Sequence, residues 1–296
     1  MDQTSPAMQR IYLWANNRSL GTVFLKWFSN VENAQVINGI FTSSFFFGMD
    51  YGCSSDHHDY NLRTKTIEFE ASEYPSVYDG SVVTYSWAKS QLECDYPGKQ
   101  YLICKDLSFA LGGNHDLIPR GFRHTFIIRH PYKVFPSWKK NFGQSFPTSD
   151  LREIIDNNYG KQYGFKEQYD ILKYLQDHPD LGDSEPVIID ADDLLRNPAS
   201  ILSRYCQQVG IPYTDDMLQW NPGTDAVKNW KISQQLLGGG LHDTGKTGWY
   251  KTAMESSQFI PPKKLPERNE LEEDVLECAD ISMKYYKMMY DMRIRP

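Results

Sequence analysis

Short apolar runs alternate with segments of helical periodicity along most of the 296-residue chain. The runs have the length of buried strands, and the intervening segments place apolar residues three or four positions apart, as an amphipathic helix does. Strands are predicted at 11–14, 36–40, 82–85, 101–104, 126–128 and 187–189, and helices at 23–28, 88–94, much of 149–178, 197–209 and 271–292. This alternation predicts one α/β domain over residues 1–296, a three-layer sandwich with helices on both faces of a central parallel sheet.

Two stretches lack this order. Residues 41–80 are rich in Ser, Asp, Tyr and Gly without clear periodicity, and they are interpreted as an irregular insertion or a cover over the domain. Residues 221–266 are interpreted as loop-rich because they contain Gly238-Gly239-Gly240 and Pro261-Pro262. Upstream of the glycines, Lys231 to Leu237 has a helical pattern.

Composition excludes several classes of function. The formal net charge of −7 gives no general attraction to nucleic acid or to an anionic membrane. The five cysteines are scattered without metal-site spacing, and the cluster Cys53, His57 and His58 has no second half, so no metal is expected. The first ten residues lack a signal-peptide core, and the apolar patch at 45–47 is far too short to span a membrane. The expectation is a cytoplasmic protein.

The segment from Thr125 to Asn141 combines three features that suit an anion. Arg129 ends the predicted strand, Pro131 stands where a first helical turn begins, and Ser137 follows about two turns later. The N–H groups and positive dipole end of the new helix favour an anion, while Arg129 adds a bidentate donor and Ser137 a hydroxyl. The arrangement suits a phosphate that binds without reacting.

A second anion-binding loop is predicted directly after the first strand. Ser19, Gly21 and Thr22 suit a loop whose N–H groups surround a phosphate, Leu20 stands between them, and Arg18 supplies charge. The two motifs together resemble those of sulfotransferases that use 3′-phosphoadenosine 5′-phosphosulfate (PAPS). The resemblance implies a fold of the phosphate-loop nucleotide-binding type, with the 5′-phosphosulfate on Arg18–Thr22 and the 3′-phosphate on Arg129 and Ser137. Arg18, Leu20 and Gly21 depart from the usual Lys-Ser-Gly-Thr-Thr pattern.

The string Gly240 to Thr247 fits the Walker A pattern in full. That motif needs a strand before it and a helix after it, and neither is predicted here. The segment Gly245, Gly248, Trp249 and Lys251 instead resembles the late glycine–tryptophan loop that closes over the cofactor in sulfotransferases. The resemblance therefore adds Thr244, Gly245 and Lys246 to the predicted cofactor-binding residues.

A third segment of the same resemblance runs from Ile188 to Gly210. It has a strand, the acidic pair Asp192-Asp193, and then Asn197-Pro198 opening a helix. Many sulfotransferases have a Tyr before the pair, where this chain has Ala191. The pair is expected to be structural.

The catalytic group is the open question. Sulfotransferases of this type have a His two residues after a Lys at a central strand end, and the matching residues here are Lys105 and Leu107. Asp106 is the first candidate for a base, since it stands where α/β sites form. Lys105 could contact the sulfuryl group or form a structural ion pair with Asp106. His115, on a Gly-rich loop, is the reserve candidate, and Arg18 is assigned a role at the sulfuryl group.

The sequence thus predicts a PAPS-dependent sulfotransferase that transfers a sulfuryl group to a hydroxyl or an amine of a small organic acceptor, releasing PAP (the 3′,5′-bisphosphate), with no metal. Two alternatives remain: a nucleotide-dependent kinase of the phosphate-loop class, and a PAP- or nucleotide-binding protein that has lost its base.

Overall fold

The structure, a computed structural model, describes residues 7–50, 73–142, 148–159, 163–182, 185–241 and 249–296. Seven strands within these residues form one sheet in which every pair is parallel, in the order β3-β7-β2-β4-β1-β5-β6. The strands are β1 (Gln9–Ala15), β2 (Ala34–Asn38), β3 (Val77–Tyr78), β4 (Tyr101–Leu107), β5 (Arg123–Ile128), β6 (Val187–Asp190) and β7 (Trp230–Ser233).

Helices connect the strands. They are α1 (Gly21–Phe28), α2 (Ile40–Phe47), α3 (Tyr85–Glu93), α4 (Pro131–Phe142), α5 (Leu151–Asn158), α6 (Phe165–Asp177), α7 (Ala191–Arg196), α8 (Pro198–Val209), α9 (Asp225–Lys228), α10 (Gln234–Leu241), α11 (Lys251–Glu255) and α12 (Glu273–Asp291). The predicted three-layer α/β class is confirmed. No helix among the described residues is long and apolar enough to cross a bilayer.

Two hydrophobic cores lie on opposite faces of the sheet, and the side chains of β1 alternate between them. Ile11 and Leu13 of β1 pack on the face covered by α1 and α8, whereas Tyr12 and Trp14 pack on the opposite face, with α4, α6 and α12. All four side chains are fully buried. A strand buried on both faces is the expected state of a parallel sheet flanked by helices.

The register brings the carboxyl ends of the central strands together. Ala15 of β1 lies opposite Leu107 of β4, and Asn38 of β2 lies opposite Lys105. The backbone N–H of Gly39 continues this edge by donating to the carbonyl of Lys105 at 2.8 Å. The loops that follow β1, β2 and β4 therefore meet at one edge of the sheet, where ligands of α/β proteins bind.

The predicted strand at 82–85 is wrong. The chain forms a 3₁₀ turn at Gly80–Val82, and Thr84 then caps α3 by accepting from the N–H of Trp87 at 3.0 Å. A Thr that accepts from the helix N-terminus favours the helical start over an extended strand.

The helix predicted at 231–237 begins later and extends further, so that the glycine run is not a loop. Trp230–Ser233 is strand β7, and α10 then includes all three glycines. A Cβ at Gly239 would lie 2.7 Å from the ring of Trp249, and one at Gly240 would lie 2.2 Å from the ring of Tyr250. The glycines therefore let two aromatic rings pack against a helix, which sequence periodicity does not reveal.

The segment predicted as an irregular insertion at 41–80 begins as helix. Residues 41–47 belong to α2, which ends before Gly48, and Phe41 and Phe45 of this helix are buried in the core. Its last part supplies the edge strand β3 and the 3₁₀ turn. Residues 51–72, including Cys53, His57 and His58, lie outside the described residues.

A buried lysine joins the start of the fold to its C-terminal third. Lys26 of α1 is 2% exposed, and its ammonium donates to the carbonyls of Ala253 (3.1 Å), Met254 (2.9 Å) and Ser256 (3.1 Å). Three donors thus meet three carbonyls at the end of α11, where helices leave carbonyls without intrahelical partners. The contact fixes residues 249–256 against the helix that follows the first loop.

Lys26→Met should destabilise the protein strongly, because it keeps the shape of the stem but removes three charge-assisted hydrogen bonds. We expect a loss of about 3 kcal/mol in the free energy of unfolding, measured by urea titration. The control is Lys99→Met, which removes one exposed bond to the carbonyl of Ala34 and should change stability by less than about 0.5 kcal/mol. Equal losses in the two variants would contradict the anchoring role.

Candidate functional site

A cavity opens at the carboxyl edge of the sheet, between the loop after β1 and the ends of β2 and β4. Its polar lining comes from elements far apart in sequence: Asn16, Asn17, Arg18, Thr22, Asn38, Thr42, Lys105, Arg129, Tyr159, Tyr250 and Thr252. Three of these side chains are cationic, and no acidic or histidine side chain of the described residues lines the cavity. The site is therefore built to attract an anion.

The loop after β1 adopts a strained, compact turn. Arg18 and Leu20 both have positive φ, 61° and 79°, a conformation that costs a residue with a side chain about 1–2 kcal/mol. Ser19 is fully buried, and its hydroxyl donates to the carbonyl of Asn16 at 2.7 Å while it accepts from the N–H of the same residue at 3.2 Å. The Ser19 hydroxyl thus stabilises the turn itself, and the predicted binding of phosphate by the N–H groups of this loop stays a prediction.

Helix α1 begins at the cavity. Leu20 is its N-cap and offers no side-chain acceptor, so the first N–H groups of the helix remain available to a ligand. Leu20, Gly21 and Thr22 all line the cavity. A Cβ at Gly21 would lie 3.1 Å from Ala15 and 3.2 Å from Cε of Lys105, so a glycine lets the lysine side chain lie close over the loop.

The structure brings the two predicted phosphate motifs together. The guanidinium of Arg129 donates through Nη1 to the carbonyl of Arg18 at 3.0 Å, and the Arg18 side chain donates through Nε to Oγ of Ser137 at 3.0 Å. Burial, and secondarily the charge of Arg129, lower the pKa of Arg18. Two guanidinium groups held side by side and partly desolvated favour the binding of an anion between them.

Lys105 points into the cavity from the end of β4. It is 8% exposed, and its ammonium has no hydrogen bond or ion pair to any described residue. Burial lowers the pKa of Lys105 to about 8, against the opposing effect of Asp106. A buried ammonium without an anionic partner is costly in a free protein. Its position suits a ligand that supplies the missing negative charge.

Asp106 has a different role from the predicted one. Successive residues of a strand face opposite sides of the sheet, so Asp106 points away from Lys105, and the two form no ion pair. The Asp106 carboxylate is fully buried and accepts from N–H groups of Phe41 (2.8 Å), Thr42 (2.9 Å) and Leu107 (3.2 Å), and from two hydroxyls. The hydroxyls belong to Tyr12, at 3.2 Å, and to Thr42.

Three of these five donors belong to the first turn of α2, so Asp106 acts as the cap of that helix. The N-cap residue of that helix is Gly39, which has no side chain, so the carboxylate of the neighbouring strand accepts from the first turn instead. Burial raises the pKa of Asp106, and the hydrogen bonds from Thr42 and Phe41 oppose that shift. Asp106 does not line the cavity. A carboxylate that is buried outside the cavity with both oxygens occupied is not placed to accept a proton there, so the interpretation as the base is corrected.

His115 is also outside the cavity. It begins a 3₁₀ turn at His115–Leu117, and its ring lies 4.9 Å from that of Tyr174 on α6. Neither residue lines the cavity. The reserve assignment of His115 as the base is therefore not supported by the geometry.

The late glycine–tryptophan loop is described only at its end. Thr244, Gly245 and Lys246 lie outside the described residues, and their predicted role in cofactor binding stays a prediction. Trp249 and Tyr250, which follow, do line the cavity, and Arg18 Nη1 lies 3.4 Å from the carbonyl oxygen of Trp249. The end of this loop therefore reaches the predicted phosphate loop.

Several cavity residues were not identified from the sequence. Asn38 donates to the hydroxyl of Tyr250 at 3.0 Å, which joins the end of β2 to the C-terminal part of the chain. Phe46 and Tyr159 also line the cavity, and their ring centroids lie 5.7 Å apart. Asn38 is a polar residue inside the strand predicted at 36–40, and the structure ends β2 at this residue, whereas Tyr159 carries no signal of this kind.

Comparison with protein families supports the resemblance seen in the motifs. A family model described as a sulfotransferase domain matches residues 179–293. These residues include the acidic segment after β6, whereas Arg18, Lys105, Arg129 and Ser137 lie upstream of the match. The predicted resemblance to the sulfotransferases is thereby confirmed over residues 179–293, which are less than half of the chain.

Two proteins of Arabidopsis thaliana are similar to most of the chain. Branched-chain-amino-acid aminotransferase-like protein 2 is 26% identical over 263 residues, and branched-chain-amino-acid aminotransferase-like protein 1 is 27% identical over 259 residues. The alignments cover 88% and 86% of this chain but 38% and 37% of those proteins. The chain therefore spans less than two-fifths of the length of these relatives.

Solved structures with a similar course of the chain include two sulfotransferases. Mouse sulfotransferase SULT7A1 complexed with PAP has a TM-score of 0.45 at 8% identity, covering 97% of this chain and 90% of that chain. The sulfotransferase domain from the Synechococcus PCC 7002 olefin synthase has a TM-score of 0.43 at 12% identity, covering 95% and 96%. Likeness at these levels does not bear on the ligand or activity of this chain.

Asp106→Asn should weaken the fold before it affects any chemistry. The amide keeps one acceptor oxygen but places an NH₂ group against N–H donors of α2, so we expect a loss of about 1–3 kcal/mol in unfolding free energy by urea titration. Asp95→Asn is the control, because Asp95 is exposed and pairs with Arg10 at the surface. A variant of normal stability whose turnover with PAPS fell about 10²–10⁴-fold would restore Asp106 as the base.

Proposed function

We propose that the chain is a sulfotransferase that takes its sulfuryl group from PAPS. The observation that carries the proposal is the convergence of Arg18, Arg129 and Ser137, from two motifs more than a hundred residues apart, beside one cavity at the start of α1. PAPS carries an anionic group at each end of its ribose. A site with two separate groups of anion donors suits such a molecule better than a single phosphate.

Each donor group has a proposed task. The loop Arg18–Thr22 and the first N–H groups of α1 would hold the 5′-phosphosulfate, since a helix N-terminus favours an anion. Arg129 and Ser137 would hold the 3′-phosphate. Thr244, Gly245 and Lys246 would add contacts over the bound nucleotide.

Lys105 is proposed to contact the sulfuryl group during transfer. Its ammonium enters the cavity from β4, close to Gly21, and it has no competing partner among the described residues. In the protonated form it would stabilise negative charge on the sulfuryl oxygens as the bond to sulfur is exchanged. Arg18 would act on the same charge from the loop after the neighbouring strand β1.

The acceptor is proposed to be a small organic molecule with a hydroxyl or an amine. Phe46, Leu107 and Tyr159 line the same cavity as Lys105 and give it apolar surface that suits a carbon skeleton. Sulfuryl transfer measured with labelled PAPS against a panel of alcohols, phenols and amines tests the activity itself. Binding of PAP without turnover of any acceptor would instead favour a nucleotide-binding protein without transferase activity.

Cofactor selectivity tests the site directly. PAP at about 100 times its dissociation constant should stabilise the protein by about 2.7 kcal/mol, and AMP or ATP at the same concentration should stabilise it much less, in a thermal-shift measurement. Arg129→Ala should lower PAP affinity about tenfold or more while AMP affinity stays near normal. Arg120→Ala is the control, since Arg120 forms an exposed pair with Asp180. Equal stabilisation by PAP and AMP would exclude a 3′-phosphate site.

The affinity for PAP should depend on pH through Lys105. Because burial lowers the pKa of Lys105 to about 8, its positive charge is present below that pH and is lost as the pH rises through it. The phosphates of PAP are already ionised in this range. We expect PAP affinity, measured by calorimetry, to fall between pH 7 and pH 9.5. The Lys105→Met variant should bind PAP more weakly at pH 7, and its affinity should depend less on pH. If the affinity of the wild type for PAP does not change over this pH range, Lys105 is not part of the site.

A further inference from the structure

The Arg129 guanidinium, which lines the cavity, faces a buried carboxylate that does not line it. Nε of Arg129 lies 3.6 Å from Oδ1 of Asp192, on the helix α7 that directly follows β6. Asp192 is 6% exposed. Both atoms are buried and neither has a hydrogen-bond partner among the described residues. The two charged groups are therefore oriented toward each other.

This contact, with one other, determines the orientation of the guanidinium plane. Nη1 of Arg129 donates to the carbonyl of Arg18 at 3.0 Å, and Nε faces Asp192. A guanidinium is a planar fork, so two contacts on different edges define its plane. Nη2 has no hydrogen bond to a described residue and is left for a ligand in the cavity, which Arg129 lines.

The Asp192 carboxylate is fixed by hydrogen bonds other than its contact with Arg129. Its Oδ2 accepts from the ammonium of Lys133 on α4, which also donates to the carbonyl of Lys263, and its own N–H donates to Asp190 at 3.0 Å. Lys133 is 8% exposed. Asp192 is thus bonded to β6 and to α4 directly, and to the segment after α11 through Lys133.

We propose that Asp192 is a positioning residue, whose carboxylate orients Arg129 so that its free edge faces the 3′-phosphate, and that it thereby sets selectivity for a 3′-phosphorylated nucleotide. This inference rests on the proposed function, because it assumes that Arg129 holds the 3′-phosphate. It assigns a role to Asp192, one residue of the acidic pair that was expected from the sequence to be structural.

Charge alone and positioning predict opposite results. Replacing Asp192 by Asn removes a negative charge close to a bound anion, so electrostatic attraction alone would strengthen PAP binding. Loss of orientation would weaken it. The sign of the change in affinity therefore separates the two effects.

The experiment measures the ratio of the dissociation constants of AMP and PAP by calorimetry in wild type, Asp192→Asn and Asp193→Asn. We expect the ratio to fall about tenfold in Asp192→Asn, with the dissociation constant of AMP unchanged. Asp193 is the matched control: it is 7% exposed on the same helix, and its carboxylate binds Arg293 at 2.7 Å and Arg196 at 3.3 Å. In Asp193→Asn the ratio should stay within about twofold of wild type.

Coupling to Arg129 gives a second readout. If Asp192 acts through Arg129, Asp192→Asn combined with Arg129→Ala should lower the ratio no further than Arg129→Ala alone. A further drop in the double variant, an unchanged ratio in Asp192→Asn, or tighter PAP binding would each overturn the proposal. If Asp192→Asn does not fold, Asp192→Glu takes its place, since it keeps the charge but displaces the carboxylate: a reduced ratio supports the role and an unchanged ratio rejects it.

Failure of this inference is distinct from failure of the proposed function. If wild type binds PAP no better than AMP, the 3′-phosphate site itself is wrong. If wild type discriminates strongly and the two Asn variants behave alike, the site stands and only the positioning role of Asp192 is rejected.

Discussion

The opposite facing of Lys105 and Asp106 at the end of β4 is the constraint on which the site depends. Consecutive residues of a strand point to opposite faces, so one of two adjacent charges enters the cavity and the other enters the core. The buried carboxylate of Asp106 is tolerated because five donors surround it, and most of them belong to α2 or to the strand end. Helix α2 lines the cavity, and its first turn is held by Asp106, the neighbour of the cavity-lining Lys105.

The cationic groups beside the cavity are held in place at a cost that an anion would reduce. Arg18 adopts a left-handed backbone conformation, and its guanidinium lies beside Arg129 in a partly buried setting. Ser137 contacts the guanidinium of Arg18, and the carbonyl of Arg18 and the carboxylate of Asp192 contact that of Arg129. A site organised in this way before the ligand arrives loses less conformational entropy on binding.

Parts of the chain remote in sequence complete the site through a few polar anchors. Lys26 holds the end of α11, Asn38 holds Tyr250, and the glycines of α10 make room for Trp249. Lys26 and Asn38 are buried and hydrogen-bonded, so each favours one arrangement of the C-terminal segment over alternatives. The cavity-lining residues 249–253 are positioned by these contacts and not by their own helix, which is only five residues long.

The sequence by itself determined the α/β class, most of the strands and the two phosphate motifs. These features are local: buried strands are apolar runs, and Arg129, Pro131 and Ser137 keep their spacing within one strand–helix unit. Only the tertiary structure decided which of Lys105 and Asp106 faces the cavity, why a glycine run is helical, and what Asp192 contacts. Those answers depend on partners outside the element itself, such as Phe41 for Asp106 and Tyr250 for Gly240. Periodicity reports which side of an element is buried, but it does not report what that side meets.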